Sequence, residues 1–221
     1  MKDLCREIVW HGLARGLWGA GGSIDESLAA VCLVLKHELH EFYRGRRQAR
    51  FDPSPLTEIS DFTPGMLGAN TDRKMKTKGA ETWGLTLYLR SLLLIPEVSA
   101  RLAPEGQNML EATTHIIYMC ELMDSRGVRM SGDDCESLLQ TYKRFCAATQ
   151  DMEALRTPKR HSVAHMVCST PRKGNPRYYS NWFDEGLNRV LKRACRQLSQ
   201  ATFEETVLLT MPKLLEDVGA D

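Results

Sequence analysis

His161, His165 and Cys168 fall at positions i, i+4 and i+7, on one side of one helix. All three side chains are zinc donors, and two histidines one helical turn apart form a chelating geometry. No fourth donor stands at a matching spacing, and no Glu adjoins the first His as a hydrolytic centre requires. Val163, Ala164 and Met166 make the surrounding turns apolar. The pattern therefore reads as packed or hydrogen-bonded histidines, and no metal or other cofactor is expected. Asp184 and Glu185 form an acidic pair in the first turn of a helix, where the macrodipole favours carboxylates. Glu185 also stands four residues before Arg189, an ion-pairing distance. The sharper alternative is a metal-holding carboxylate that faces a phosphate, but a two-metal site needs ligands from several elements. Asp133 and Asp134 read as a helix cap. The chain has no P-loop, no Gly-rich dinucleotide turn and no GxSxG elbow, so no catalytic residue is assigned.

Binding chemistry is better represented. The segment TPRKGNPRYY, residues 170–179, combines Arg172, Lys173 and Arg177 with Tyr178 and Tyr179, and Trp182 follows. Guanidinium and ammonium groups contact phosphates, Gly174 lets a backbone approach closely, and the rings can stack on unpaired bases. Arg189, Lys192, Arg193 and Arg196 continue on one side of the next helix as a basic stripe. Residues 156–196 hold ten Lys/Arg against two acids, which leaves 19 basic against 26 acidic residues elsewhere. A formal net charge of +1 thus hides a strongly polarised chain. The competing account is a solvated face that pairs with acids of the same chain or of a protein partner. A second cluster, Arg44, Arg46, Arg47 and Arg50, sits at a helix C-terminus, where cations oppose exposed carbonyls. It reads as a solvated helix end, with a phosphate contact as the alternative.

The elements that must position these groups are helical. Residues 2–18 place Leu4, Ile8, Val9, Leu13 and Leu17 on one face, and Gly19–Gly22 stops the helix. Ser23 and Glu26 form a capping box for a helix to about residue 46 that buries Leu28, Val31, Cys32, Leu35, Leu39 and Phe42. Residues 51–71 carry Pro53, Pro55, Pro64, Gly65 and Gly68, yet Leu56, Ile59, Phe62, Met66 and Leu67 make them a packed loop and not a linker. Helix resumes over 73–94, led in by Lys74, Lys76 and Lys78 and ended by Pro96. Further helices are predicted over 104–125, from Ser131 to about 148, over 159–168, from 180 or 181 to about 198, and from Thr202 to about 216. A loop over 170–179 is held by Pro171, Gly174 and Pro176. No alternating strand pattern exceeds four residues. The expected class is all-α, with seven to nine helices, no sheet and one domain, subdivided if anywhere at 51–71.

Composition agrees with a globular protein: 221 residues, 43% hydrophobic and 26% charged. No apolar run approaches the 18 residues or so of a membrane span, and the amphipathic, acid-bearing start fits neither a secretion signal nor a transit peptide. The cysteines Cys5, Cys32, Cys120, Cys135, Cys146, Cys168 and Cys195 are odd in number and unpaired in spacing. They read as reduced, buried thiols of an intracellular protein, mitochondrial or nuclear.

Three segments carry a resemblance. Pro158-Lys159-Arg160-His161-x3-His165, Gly174-Asn175-Pro176 and Phe183-Asp184-Glu185-x2-Asn188-x2-Leu191-Lys192 resemble the C-terminal part of cut-and-paste transposases of the DDE (RNase H-like) group, and most closely transposon-like multicopy reading frames of protists. Met75-Lys76-x-Lys78-Gly79-Ala80-Glu81-x-Trp83 is similar to a second element of that group. Together these cover about a third of the chain. The resemblance implies an origin in a DNA-handling protein. It carries over no active site, because that family needs two Asp on a sheet plus a distant Glu, and only Glu81 or Glu185 could descend from an acidic position. The expectation is a non-catalytic nucleic-acid-binding structural protein, a subunit of a nucleoprotein assembly such as an organellar ribosome, contacting RNA or DNA phosphates and protein neighbours. The alternatives are a helical adaptor that docks an acidic partner through its basic face, and a fragment of a metal-dependent transposase.

Overall fold

The computed structural model describes residues 1–19, 24–49 and 56–179. Within them the expected all-α class holds, with nine α-helices and one small hairpin. The predicted helices over 180–198 and 202–216 lie outside the described residues, as do Ser23 of the first capping box and Arg50.

Helix α1 spans Lys2–Ala14 and buries Leu4, Ile8, Val9 and Leu13, the stripe its spacing requires. It ends four residues earlier than predicted. Residues 15–18 form a turn that folds the Trp18 ring back over Gly12, where an added Cβ would lie 2.6 Å from the indole. Only glycine allows that approach. Helix α2, Ile24–Gln48, buries Leu28, Val31, Cys32, Leu35 and Leu39 as expected. Its last inner position belongs to Tyr43, not Phe42. The Phe42 ring meets Tyr88 edge-on, with centroids 5.8 Å apart.

The loop after α2 is packed as its apolar residues demand, with Ile59, Phe62 and Leu67 buried. It contains α3, Pro64–Leu67, and an antiparallel hairpin of β1, Gly68–Ala69, and β2, Asp72–Arg73. This pair of two-residue strands is a sheet that periodicity cannot reveal. The Arg73 guanidinium lies over the buried Trp10 ring at 5.3 Å. Helix α4 covers Gly79–Leu93, so residues 73–78 are not its first turns. Met75 and Thr77 are buried while Lys76 and Lys78 are exposed, the alternation of an extended strand. The Lys76 amide accordingly donates to the Met66 carbonyl at 2.9 Å. Leu85, Leu89 and Leu93 carry α4 into the core.

Helix α4 ends ahead of Pro96, as predicted, and Pro96 also opens the next helix: α5 is Pro96–Arg101, with proline in the first turn, where its missing N–H costs nothing. Then come α6, Glu105–Asp124, and α7, Gly132–Ala148. A single 3-10 turn, Glu153–Leu155, leads to α8, Pro158–Lys173, and α9, Pro176–Tyr179. Helix α4 packs on α1 and α6, α6 on α7, and α7 on α8. One continuous core runs through this series, from Leu4 and Trp10 to Phe145, Leu155 and Val167. No helix among the described residues is long and apolar enough to cross a membrane. Of the six described cysteines, all free, Cys5, Cys32 and Cys135 are buried, Cys120 and Cys146 are half-buried, and Cys168 is exposed, contrary to the expectation of burial.

Candidate nucleic-acid interface

Helix α8 carries four Lys/Arg and no acid along sixteen residues. It runs past its predicted end at 168, straight through Pro171. That proline falls in the last turn, so only one backbone hydrogen bond is lost to it. The Gly174 amide donates to the Thr170 carbonyl at 2.8 Å, and Gly174 then turns the chain at φ 85°. A Cβ at Gly174 would sit 2.4 Å from the Val128 carbonyl oxygen. The close approach foreseen at Gly174 is therefore made by the protein's own backbone.

Asn175 explains why. Its side chain is fully buried, and its amide donates to the carbonyls of Met123 at 2.7 Å, Arg126 at 3.1 Å and Gly127 at 3.2 Å. Its backbone amide donates to the Val128 carbonyl at 2.8 Å, and its side-chain oxygen Oδ1 accepts from the Arg177 amide at 3.1 Å. The carbonyls at the C-terminus of α6 are short of helical partners, and one asparagine donates to three of this stretch. Gly174-Asn175-Pro176 thus joins the end of α8 to the end of α6.

This joint fixes where the basic residues stand. Arg172 and Lys173 are exposed at the end of α8, and neither makes an ion pair or hydrogen bond among the described residues. Arg177, in α9, pairs with Asp124. Tyr178 is half exposed, and its hydroxyl donates to the Arg126 carbonyl at 3.4 Å. Tyr179 ends α9. Arg189, Lys192, Arg193 and Arg196, with Trp182, Asp184 and Glu185, lie outside the described residues. Arg126 joins the group, although its position in the sequence gives no hint of this. Its guanidinium donates to Asp134 at 2.9 Å, and that bond, with a second from Ser131, holds the Asp134 carboxyl below the usual range. Asp134 in turn donates its amide to the Ser131 hydroxyl at 3.1 Å, the cap its position suggested.

Other cations of the basic stretch serve the fold. Arg160 donates to the Cys146 carbonyl at 2.9 Å, and its own carbonyl accepts from Tyr142, so α8 is tied to the end of α7. Arg156 donates to the Gln150 carbonyl at 2.6 Å. In the earlier cluster, Arg44 pairs with Glu41 at 2.8 Å, Arg47 with Glu58, and Arg46 lies over the Phe42 ring at 5.9 Å, as a solvated helix end would have it.

His161 and His165 are exposed and hydrogen-bonded to each other, Nε2 to Nε2, at 2.7 Å. They do not pack into the core. Among the described residues no three His, Cys, Asp or Glu side chains are grouped as a metal site. Glu81 caps α4, accepting from the Lys78 amide at 2.7 Å. Comparison of the chain with protein families, curated proteins and solved structures finds no match.

Proposed function

We propose that the protein is a non-catalytic nucleic-acid-binding structural protein, a subunit of a nucleoprotein assembly, whose contact to phosphates is built on the end of α8. One observation carries this reading: Arg172 and Lys173 are adjacent, exposed and without partners among the described residues, on a helix that has no acid. Tyr178, half exposed on α9, can offer a ring to a base. An ancestry in transposase-like proteins rests on the sequence resemblance alone. Under it the Gly174-Asn175-Pro176 and Met75–Trp83 segments are structural inheritance, since the first joins two helix ends and the second caps α4.

The test is binding of the purified chain to single- and double-stranded DNA and RNA across a salt series, beside Arg172→Ala/Lys173→Ala. Phosphate contacts release counterions, so log affinity falls with log salt by about 0.7 to 0.9 per contact. The double variant should flatten that slope by about two contacts. Absence of binding at low salt, or an unchanged slope in the variant, overturns the assignment. A second reading, a helical adaptor for an acidic partner, is supported by the pairing of Arg177 with a carboxylate, Asp124, of the same chain. Capture of acidic peptides with no affinity for polynucleotides would establish it.

A further inference from the structure

We propose that His161 and His165 form a surface chelate for a divalent transition-metal ion of tetragonal preference, the Cu(II)/Ni(II) type. The two rings stand one turn apart on the exposed side of α8, with centroids 4.3 Å apart and planes at 86°. Their Nε2 atoms converge to 2.7 Å, and neither ring has another hydrogen bond among the described residues. The two Nε2 lone pairs cannot share that space unless one nitrogen carries a proton that it donates to the other. A metal ion replaces that proton and accepts both lone pairs.

The bite favours ligands at a right angle. With metal–nitrogen bonds of about 2.05 Å, two ligands at a right angle have nitrogens about 2.9 Å apart, and two ligands at the tetrahedral angle about 3.3 Å. The observed separation therefore needs to open by about 0.2 Å for a square-planar ion and by about 0.6 Å for a tetrahedral one. The order of affinities for nitrogen donors points the same way, with Cu(II) and Ni(II) ahead of Co(II) and Fe(II). The remaining coordination positions face solvent and an open cleft of about 400 Å³ lined by His165, Cys168, Arg172 and Lys173. Cys168 is exposed one turn beyond His165, but the chelate assigned here needs only the two imidazoles. Metal binding at this pair does not depend on nucleic-acid binding.

Titration of the full chain with Ni(II), followed by calorimetry, tests it without thiol oxidation. One ion per chain should bind, at least tenfold more weakly in His161→Asn and in His165→Asn. His37→Asn, on α2, and Cys168→Ser should leave that affinity unchanged. Cu(II) loaded on Cys168→Ser should give an electron paramagnetic resonance spectrum with coupling to two equivalent nitrogens. Circular dichroism of each variant separates a lost site from a lost fold, because both histidines are exposed and their replacement should leave the helix content intact. Equal Ni(II) affinity in wild type and both histidine variants, or a spectrum with a single nitrogen, overturns the proposal.

Discussion

Two polar clusters at opposite ends of the helix series treat charge in opposite ways. Near the N-terminus the Glu38 carboxylate of α2 accepts from Trp18 Nε1 at 3.2 Å and from the Tyr88 hydroxyl of α4 at 2.5 Å. Both donors lie deep, Trp18 and Tyr88 being no more than 6% exposed. One acid thus holds the turn after α1, helix α2 and helix α4 together. At the end of α8, Arg172 and Lys173 keep their charge in water and without partners among the described residues. A charge drawn into a fold must be compensated there, because desolvation costs more than a bare group can recover. A charge left at the surface costs the fold little and stays available to a ligand. The first cluster is architecture and the second leaves its charge at the surface.

That contrast can be broken from either side. The largest loss should come from the helix that carries Tyr88: Leu89→Ala, at a fully buried position, is expected to cost about 2–5 kcal/mol in urea unfolding, through lost burial and the cavity left behind. Asn175→Ala should cost about 2–3 kcal/mol, since it leaves the α6 carbonyls without their donor. Asn175→Asp should cost more, because it faces those carbonyls with a carboxylate. If Asn175→Ala were as stable as wild type, the joint would be incidental to the fold.

Tyr88→Phe should cost about 1.5–2 kcal/mol by removing a hydrogen bond to a charged acceptor. It should also change the alkaline limb. Burial, and then the hydrogen bond to Glu38 and its charge, push the Tyr88 phenol well above its ordinary value. The unfolded chain therefore releases this proton first. The stability involved is complete below about pH 10 and falls as pH rises above it. Tyr43 and Tyr142, each pushed up to about 12 chiefly by burial, act in the same sense. Tyr88→Phe should therefore show a shallower decline above pH 10 than wild type, and an equal slope would remove Tyr88 from that account. The smallest effect on stability should be that of Arg172→Ala/Lys173→Ala, within about 0.5 kcal/mol of wild type. A larger loss would mean that these cations are structural after all.

Much of this fold is legible in the sequence because amphipathic helices declare their inner face. Leu4, Ile8 and Leu13, or Leu138, Tyr142 and Phe145, recur at the helical period and are buried. The misreadings share a cause. Met75 and Thr77 alternate with lysines over too few residues to outweigh the helix that follows, and their extended form depends on Met66, an earlier part of the chain. Pro171 signals a break, but in a last turn it removes too little to end the helix. The candidate site was legible only in part. Arg172 and Lys173 read correctly as exposed, whereas Arg160 reaches a carbonyl of α7 and Arg156 one in the turn that follows it. Gly174 announces a close approach without saying whose backbone approaches. His161 and His165 sit among apolar neighbours in sequence, yet α8 turns them outward.

The Asn175 joint has a kinetic consequence. Met123 and Asn175 are 52 residues apart, so their bond closes a long loop that contains all of α7 and α8. The entropy of closing such a loop is lost before its contacts form, and loops of this length therefore close late in folding. Once closed, the loop cannot fray residue by residue from its end, because the three carbonyls at the foot of α6 share one donor. The α7–α8 unit should open as a single cooperative block, with its amides exchanging hydrogen at one common rate while those of α4 remain protected.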